Sequence, residues 1–241
     1  IKTITLTGRD KGKKRDAILE QIADGSAQII IGTHALFQEI VIFKDLGLAV
    51  IDEQHRFGVH QRMMLSGKNK DTDTLVMTAT PIPRTLTMTV FGDMDTSRLD
   101  EKPAGRKPID TRLLSIDRIE ELAISLKKKI AEGNRIYWVC PLVEESEVMD
   151  LAAAEERYIS LERSFGNRVG LVHGQMKAEV KDETMSKFAR GELDILVATT
   201  VIEVGVNVPE ATIMVIEHAE RFGLSQLHQL RGRVGRGSAQ S

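Results

Sequence analysis

Two adjacent carboxylates, Asp52 and Glu53, close the apolar run Leu48–Ile51. In an open α/β sheet, ligands sit at the carboxyl ends of the strands. An aspartate there suits a hydrated Mg²⁺, which takes one or two carboxylates and completes its shell with phosphate oxygens and water. A glutamate beside it can orient or deprotonate an attacking water. A strand running into a solvated acidic turn carries the same letters, so the pair needs company before it means chemistry.

Three further segments supply candidates. Met77–Thr85 places Thr78 and Thr80 where an apolar run exits into two prolines, and their hydroxyls can sense a neighbouring carboxylate. A plain Pro-rich turn is the simpler reading of that stretch alone. Ala198–Pro209 brings Thr199 and Thr200, then Gly205 and Asn207, to another strand exit. Hydroxyls and backbone N–H groups suit phosphate contacts, and a glycine lets the backbone approach a ligand. Gln226–Gly237 is basic and glycine-bearing. If it is helical, Gln229, Arg233 and Arg236 share one face at i, i+4 and i+7, while Arg231 points elsewhere. Guanidinium groups presented that way suit a developing phosphoryl charge; a basic loop on a nucleic-acid backbone is the alternative. Gly232 and Gly235 each cost about 1 kcal/mol in a helix interior, so close backbone approach is expected at both.

The elements that must hold these residues alternate in type. Gln28–Ile31, Leu48–Ile51, Leu75–Met77, Arg112–Ile116, Arg135–Val139, Val169–Val172, Ile195–Ala198 and Thr212–Ile216 are short apolar runs. Continuous apolar character predicts strands buried on both faces. Helical spacing predicts helices over 14–24, 117–132 and 177–190, stopped by Gly25, Gly133 and Gly191, with Asp117 capping the second. Strand–helix alternation implies parallel sheets with crossover helices. Asp100–Asp110 has two prolines, a glycine and no apolar face, which marks a linker between lobes. The expected division is lobe one over 1–102, linker over 103–112 and lobe two over 113–241.

The 241 residues are ample for two domains, and the net charge of −2 gives no general reason to expect a nucleic-acid partner. No apolar run spans a bilayer and no leader pattern opens the chain. The single cysteine, Cys140, excludes an internal disulfide and reads as a small core residue. No G-x-x-x-x-G-K-[ST] loop occurs, and the first lobe is short of strands. The simplest expectation is a first lobe without its leading βα units.

Taken in order, these segments resemble superfamily 2 helicases and translocases. Asp52–His55 is similar to the second helicase motif, Thr78–Thr80 to the third, Thr199–Pro209 to the fifth and Gln229–Arg236 to the sixth. DEQHRFGVHQR at 52–62, TATPIPRTL at 78–86, GDMDTS at 92–97 and QLHQLRGRVGRG at 226–237 narrow the likeness to RecG-type ATP-dependent DNA helicases, which remodel stalled forks and migrate Holliday junctions. Transcription-repair coupling translocases share RFGV and TATPIPRT, but favour DEEH and an Arg-Asp pair where this chain has Asp93-Met94-Asp95. A catalytically inactive α/β nucleic-acid-binding module is the alternative of another class.

The resemblance implies an α/β fold of two RecA-like lobes, parallel sheets flanked by helices. It implies ATP and Mg²⁺, with Asp52 on the metal and Glu53 on the hydrolytic water. Gln229, Gly205 and Asn207 would contact the nucleotide, and Arg233 and Arg236 would act as arginine fingers. Many relatives carry Asp at the position of Asn207. Thr78 and Thr80 would couple hydrolysis to movement, and Thr33, Thr199 and Thr200 would touch the DNA backbone. Branched or forked DNA is the implied partner, for a monomer in the bacterial cytoplasm at the nucleoid. Without a phosphate-binding lysine loop, this stretch alone is expected to be inactive.

Overall fold

A computed structural model describes residues 1–53, 72–78, 95–101, 105–141, 147–199, 208–237 and 239–241. The chain divides into two compact units, Ile1–Met94 and Asp95–Ser241.

The first unit holds β1 (Thr3–Leu6), α1 (Gly12–Ala23), β2 (Ile29–Gly32), β3 (Leu48–Ile51) and β4 (Asp73–Val76). β1 pairs in parallel with β2, and β3 with β4. Leu6 and Ile22 are buried with Ala35 and Val41, so α1 packs its apolar stripe on β1. Phe37 and Ile51 form a second small cluster, and Phe43 packs against both. The α1 stop is as the sequence predicts, at Gly25 with φ 75°. Burial on both faces, expected for these strands, does not hold. Ile31 is 56% exposed and Val50 54%, and Leu48 and Leu75 are exposed with them. The apolar runs do form strands, but the described residues cover only one face of them.

The second unit is built round a four-stranded parallel sheet, in the order β6 (Val169–Val172), β7 (Ile195–Ala198), β5 (Arg135–Val139), β8 (Ala211–Ile216). Alternation along β5 sends Tyr137 and Val139 to one face and Ile136 and Trp138 to the other. The first face carries α4 (Ala178–Arg190), through Phe188, and α5 (Leu224–Arg231), through Leu230. The second carries α2 (Ile119–Ala131), through Leu126, and α3 (Glu147–Phe165), through Ala154 and Leu161. Here burial on both faces holds: all four residues of β7 are fully buried. Cys140 lies in this core, where burial, then the charge of Glu217, pushes its thiol up to about 12.

Two local expectations change. Arg112–Ile116 forms no strand: residues 112–115 carry no regular element, Leu113 is exposed, and Ile116 already belongs to a 3₁₀ turn. A 3₁₀ turn at Ile116–Arg118 precedes α2, so Asp117 is inside that turn, accepting from Ser115 Oγ at 3.1 Å, and does not cap the helix. α3 has no counterpart among the predicted helices. Within the expected linker, Gln240 Nε2 donates to Pro108 O at 2.6 Å and Asp110 N to Ser241 O at 2.8 Å, both inside the second unit.

Candidate functional site

In the first unit, β3 delivers Asp52 and Glu53 to the carboxyl edge of its sheet. Glu53 N donates to Asp52 Oδ1 at 2.9 Å, which closes the turn. Glu53 sits at φ 52°, a left-handed conformation that costs a non-glycine residue about 1 kcal/mol. Strain of that kind collects at functional turns. The Asp52 carboxylate is exposed and Glu53 is half-buried. Met77 N donates to Ile51 O at 2.8 Å, carrying the β3–β4 ladder one residue further, so Thr78 emerges beside this turn. Thr80 lies outside the described residues. Among the described residues no cluster of three or more His, Cys, Asp or Glu could hold a metal. One accessible carboxylate is a donor set that fits Mg²⁺, which keeps most of its shell for phosphate and water.

The neighbouring edge belongs to β1 and β2. Thr33 N donates to Leu6 O at 3.4 Å, and the Thr33 side chain is exposed just past β2. A Cβ at Gly32 would fall against the carbonyl oxygen of Leu6, so the residue before Thr33 must be glycine for the strands to stay paired. After β1 the chain turns back on Asp10. Thr7 N and Thr7 Oγ1 both donate to Asp10 Oδ2 at 2.9 Å, and Lys14 Nζ stands 2.7 Å from Oδ1. The hydrogen bond from Lys14, then those from Thr7, hold the Asp10 carboxyl at about 2. The folded value lies below the unfolded one, so this clamp contributes fully above the ordinary aspartate range and is lost as pH falls through about 2. Carboxyl NMR titration should give Asp10 a midpoint near 2, rising towards the ordinary value in Lys14→Ala. An ordinary midpoint in the unsubstituted protein would rule the clamp out.

In the second unit, β7 ends at Ala198, and Thr199, the next residue, is only 2% exposed. Its hydroxyl has no hydrogen-bond partner among the described residues, and its N–H donates to Val172 O at 3.3 Å. The side chain expected on the DNA backbone is thus held inside the lobe. Thr200, Gly205 and Asn207 lie outside the described residues.

The basic segment departs from the single-helix reading. α5 ends at Arg231, with Gly232 as its C-cap. Arg233 N then turns back to Leu230 O at 2.9 Å, and Gly235 takes φ 68°. Gln229 is therefore on the helix while Arg233 and Arg236 are on the loop after it, and the three share no helix face. The two glycines decide this, since a helix interior disfavours both. Leu230 and Val234 are buried anchors of the loop. Arg236 is exposed and its Nε donates to Gly232 O at 3.0 Å. Burial raises the Tyr137 phenol, and the charges of Arg236, Arg233 and Arg135 oppose that rise. The close approach expected at Gly235 is met by Ile109, whose Cγ1 an added Cβ would meet at 3.0 Å.

Residues 115–238 match the helicase conserved C-terminal domain, and residues 1–89 match the DEAD/DEAH box helicase domain. The chain belongs to the helicase conserved C-terminal domain family. It is 55% identical over 98% of its length to the ATP-dependent DNA helicase RecG of Haemophilus influenzae, and 53% identical over 98% to that of Bacillus subtilis. It spans 35% of each of those helicases. A structure of RecG bound to a three-way DNA junction matches 98% of the chain and 31% of that protein, at 46% identity and a TM-score of 0.72. The helicase Lhr of Mycobacterium smegmatis, bound to ssDNA and AMP-PNP, matches the fold at a TM-score of 0.68 and 16% identity, over 100% of this chain and 34% of that one. The α/β architecture of parallel sheets flanked by helices is thus the RecA-like helicase fold. No described helix is long and apolar enough to cross a membrane.

Two arrangements escape a reading of the helicase motifs. One is the Asp10 clamp, whose signal is a Thr-x-x-Asp spacing at a strand exit. The other is a network behind the β5–β8 edge: Arg157 bonds Glu217 through Nε at 2.5 Å and Nη2 at 3.2 Å, and Trp138 Nε1 also donates to Glu217. No local pattern announces it, because Arg157 and Glu217 lie on α3 and just past β8.

Proposed function

We propose that this chain is part of an ATP-dependent DNA helicase that remodels branched DNA, such as forks and Holliday junctions, in recombination and repair. The observation that carries the reading is the 55% identity to a RecG helicase over 98% of the chain, with Asp52 and Glu53 at a strand's carboxyl edge and Arg233 and Arg236 on an anchored loop. ATP with Mg²⁺ would supply a phosphoryl group whose transfer is driven by positioning and charge stabilisation.

Asp52 would hold the metal, and Glu53, oriented by its strained turn, would position the water. Gln229, with Gly205 and Asn207, would contact the nucleotide; Arg233 and Arg236 would meet the charge that develops on the phosphoryl group. Thr78 and Thr80 would couple hydrolysis to DNA movement. Thr33, exposed past β2, would contact the DNA backbone, as would Thr200; Thr199, buried, would act from within the lobe. The protein would work as a monomer in the bacterial cytoplasm.

The test is DNA-stimulated ATP hydrolysis by the complete protein. Forked DNA should raise turnover well above linear duplex of equal length. Turnover that no DNA stimulates would move the inactive binding module to the front.

A further inference from the structure

We propose that Ile109, inside the expected linker, is a positioning residue that fixes the loop carrying Arg233 and Arg236; this rests on the ATP-hydrolysing helicase reading above. Residues 105–118 form no strand and no α-helix, and Ile109 alone among them is not exposed. It packs against the cluster that holds Leu230 and Val234, the two buried anchors of the arginine loop. One apolar side chain thus pins an otherwise solvated segment to the second unit, by removing its surface from water.

The contact meets the loop at its turning point. After α5 the chain passes through Gly235 at φ 68°. A Cβ built there would stand 3.0 Å from Ile109 Cγ1 and 3.2 Å from Ile109 Cδ1, with Ser241 Cβ at 3.8 Å. Ile109 therefore occupies the space that a side chain at 235 would need. Hydrogen bonds hold it there from both sides. Gln240 Nε2 donates to Pro108 O at 2.6 Å, and Asp110 N donates to Ser241 O at 2.8 Å. Arg112 Nε in turn donates to the Asp110 carboxylate at 2.9 Å. The residues flanking Ile109 are thus tied to the stretch that follows the two arginines.

Arg236 stands one residue beyond Gly235. Its hydrogen bond from Nε to Gly232 O at 3.0 Å orients the side chain within its own loop. The loop itself must be placed by its anchors. Leu230 and Val234 come before the turn, and Ile109 braces the turn itself. A charge-stabilising group tolerates little error: a misplacement of about 1 Å, from a change remote from the chemistry, can cost 10²-fold in rate. Shortening Ile109 opens a void beside a glycine, the residue with the most backbone freedom to shift into it.

The experiment is fork-stimulated ATP hydrolysis by the complete protein. Ile109→Ala should lower kcat by about 10- to 100-fold and leave KM for ATP within about twofold, because the displaced group acts in the transition state. Ile109→Val keeps the γ carbon nearest Gly235 and should restore kcat to near the parent value. In an Arg236→Ala background, read by single-turnover assay, Ile109→Ala should cost less than about threefold, since both changes remove the same interaction. Ile130→Ala is the control. It trims another partly buried isoleucine, packed on the opposite face of the sheet, and should lower the melting midpoint while leaving kcat unchanged. If Ile109→Ala melts below the assay temperature, Gln240→Ala takes its place. That variant removes the bond from an exposed side chain to Pro108 O and should lower kcat about two- to fivefold. A parent-like kcat in Ile109→Ala, or in Gln240→Ala where it substitutes, overturns the inference. So does a loss repeated in full without Arg236, or matched by Ile130→Ala; each of these leaves the helicase reading standing. Absence of DNA-stimulated hydrolysis in the unsubstituted complete protein sinks that reading, and the inference with it.

Discussion

Arg236→Ala in the complete protein is expected to lower DNA-stimulated ATP hydrolysis by about 10³-fold or more, the loss typical of an arginine finger. That factor corresponds to about 4 kcal/mol of transition-state stabilisation. The proposed role rests on an accessible guanidinium. It is exposed, and the hydrogen bond from Nε to Gly232 O fixes the near side of the guanidinium. The terminal nitrogens make no further bond among the described residues. Because the group buries nothing, the substitution should leave the melting midpoint unchanged, so lost turnover reports chemistry. Arg236→Lys should recover little, since an ammonium keeps the charge without the planar fork. Glu53→Gln should abolish turnover as well, while keeping the size of the side chain. Retention of more than about a tenth of the activity in Arg236→Ala would remove the residue from the proposed site.

Arg157→Ala should destabilise the second unit by about 3 kcal/mol, the loss expected when one partner of a buried ion pair is taken away. The Glu217 side chain is only 9% exposed and that of Arg157 24%. Arg157 also lies over the Trp138 ring, 5.7 Å from its centroid, so its removal costs packing and cation–π attraction too. What remains is a buried carboxylate with the indole N–H as its side-chain donor. The melting midpoint should fall by on the order of 10 °C. Arg157→Met combined with Glu217→Gln should recover most of that, because the amide removes the uncompensated charge and still accepts from the indole N–H. A single variant that melts within a degree or two of the parent would show that solvent already screens the pair.

Much of the secondary-structure plan was legible in the residues alone, α3 and the stretch 112–116 excepted. β5, β6 and β7 appear where continuous apolar runs stand, and Gly25, Gly133 and Gly191 end their helices at φ 75°, 90° and 78°. These features depend on near neighbours: side-chain periodicity, and a backbone conformation that glycine adopts without strain. Asp52 and Glu53 at a strand exit follow from the same local logic.

Other features depend on which elements become neighbours, and the tertiary structure alone decided them. Spacing put Gln229, Arg233 and Arg236 on one helix face; the fold instead ends the helix at Arg231 and lays Gly235 against Ile109, over a hundred positions earlier in the chain. Thr33 and Thr199 read alike as strand-end hydroxyls, yet one is exposed and the other buried: the second unit's sheet carries helices on both faces, while beside Thr33 the described residues leave the strand end uncovered. The Arg157–Glu217 pair joins residues 60 positions apart. Such contacts arise from strand order and helix docking, which are set by packing the whole core and leave no periodic trace in the segments they join.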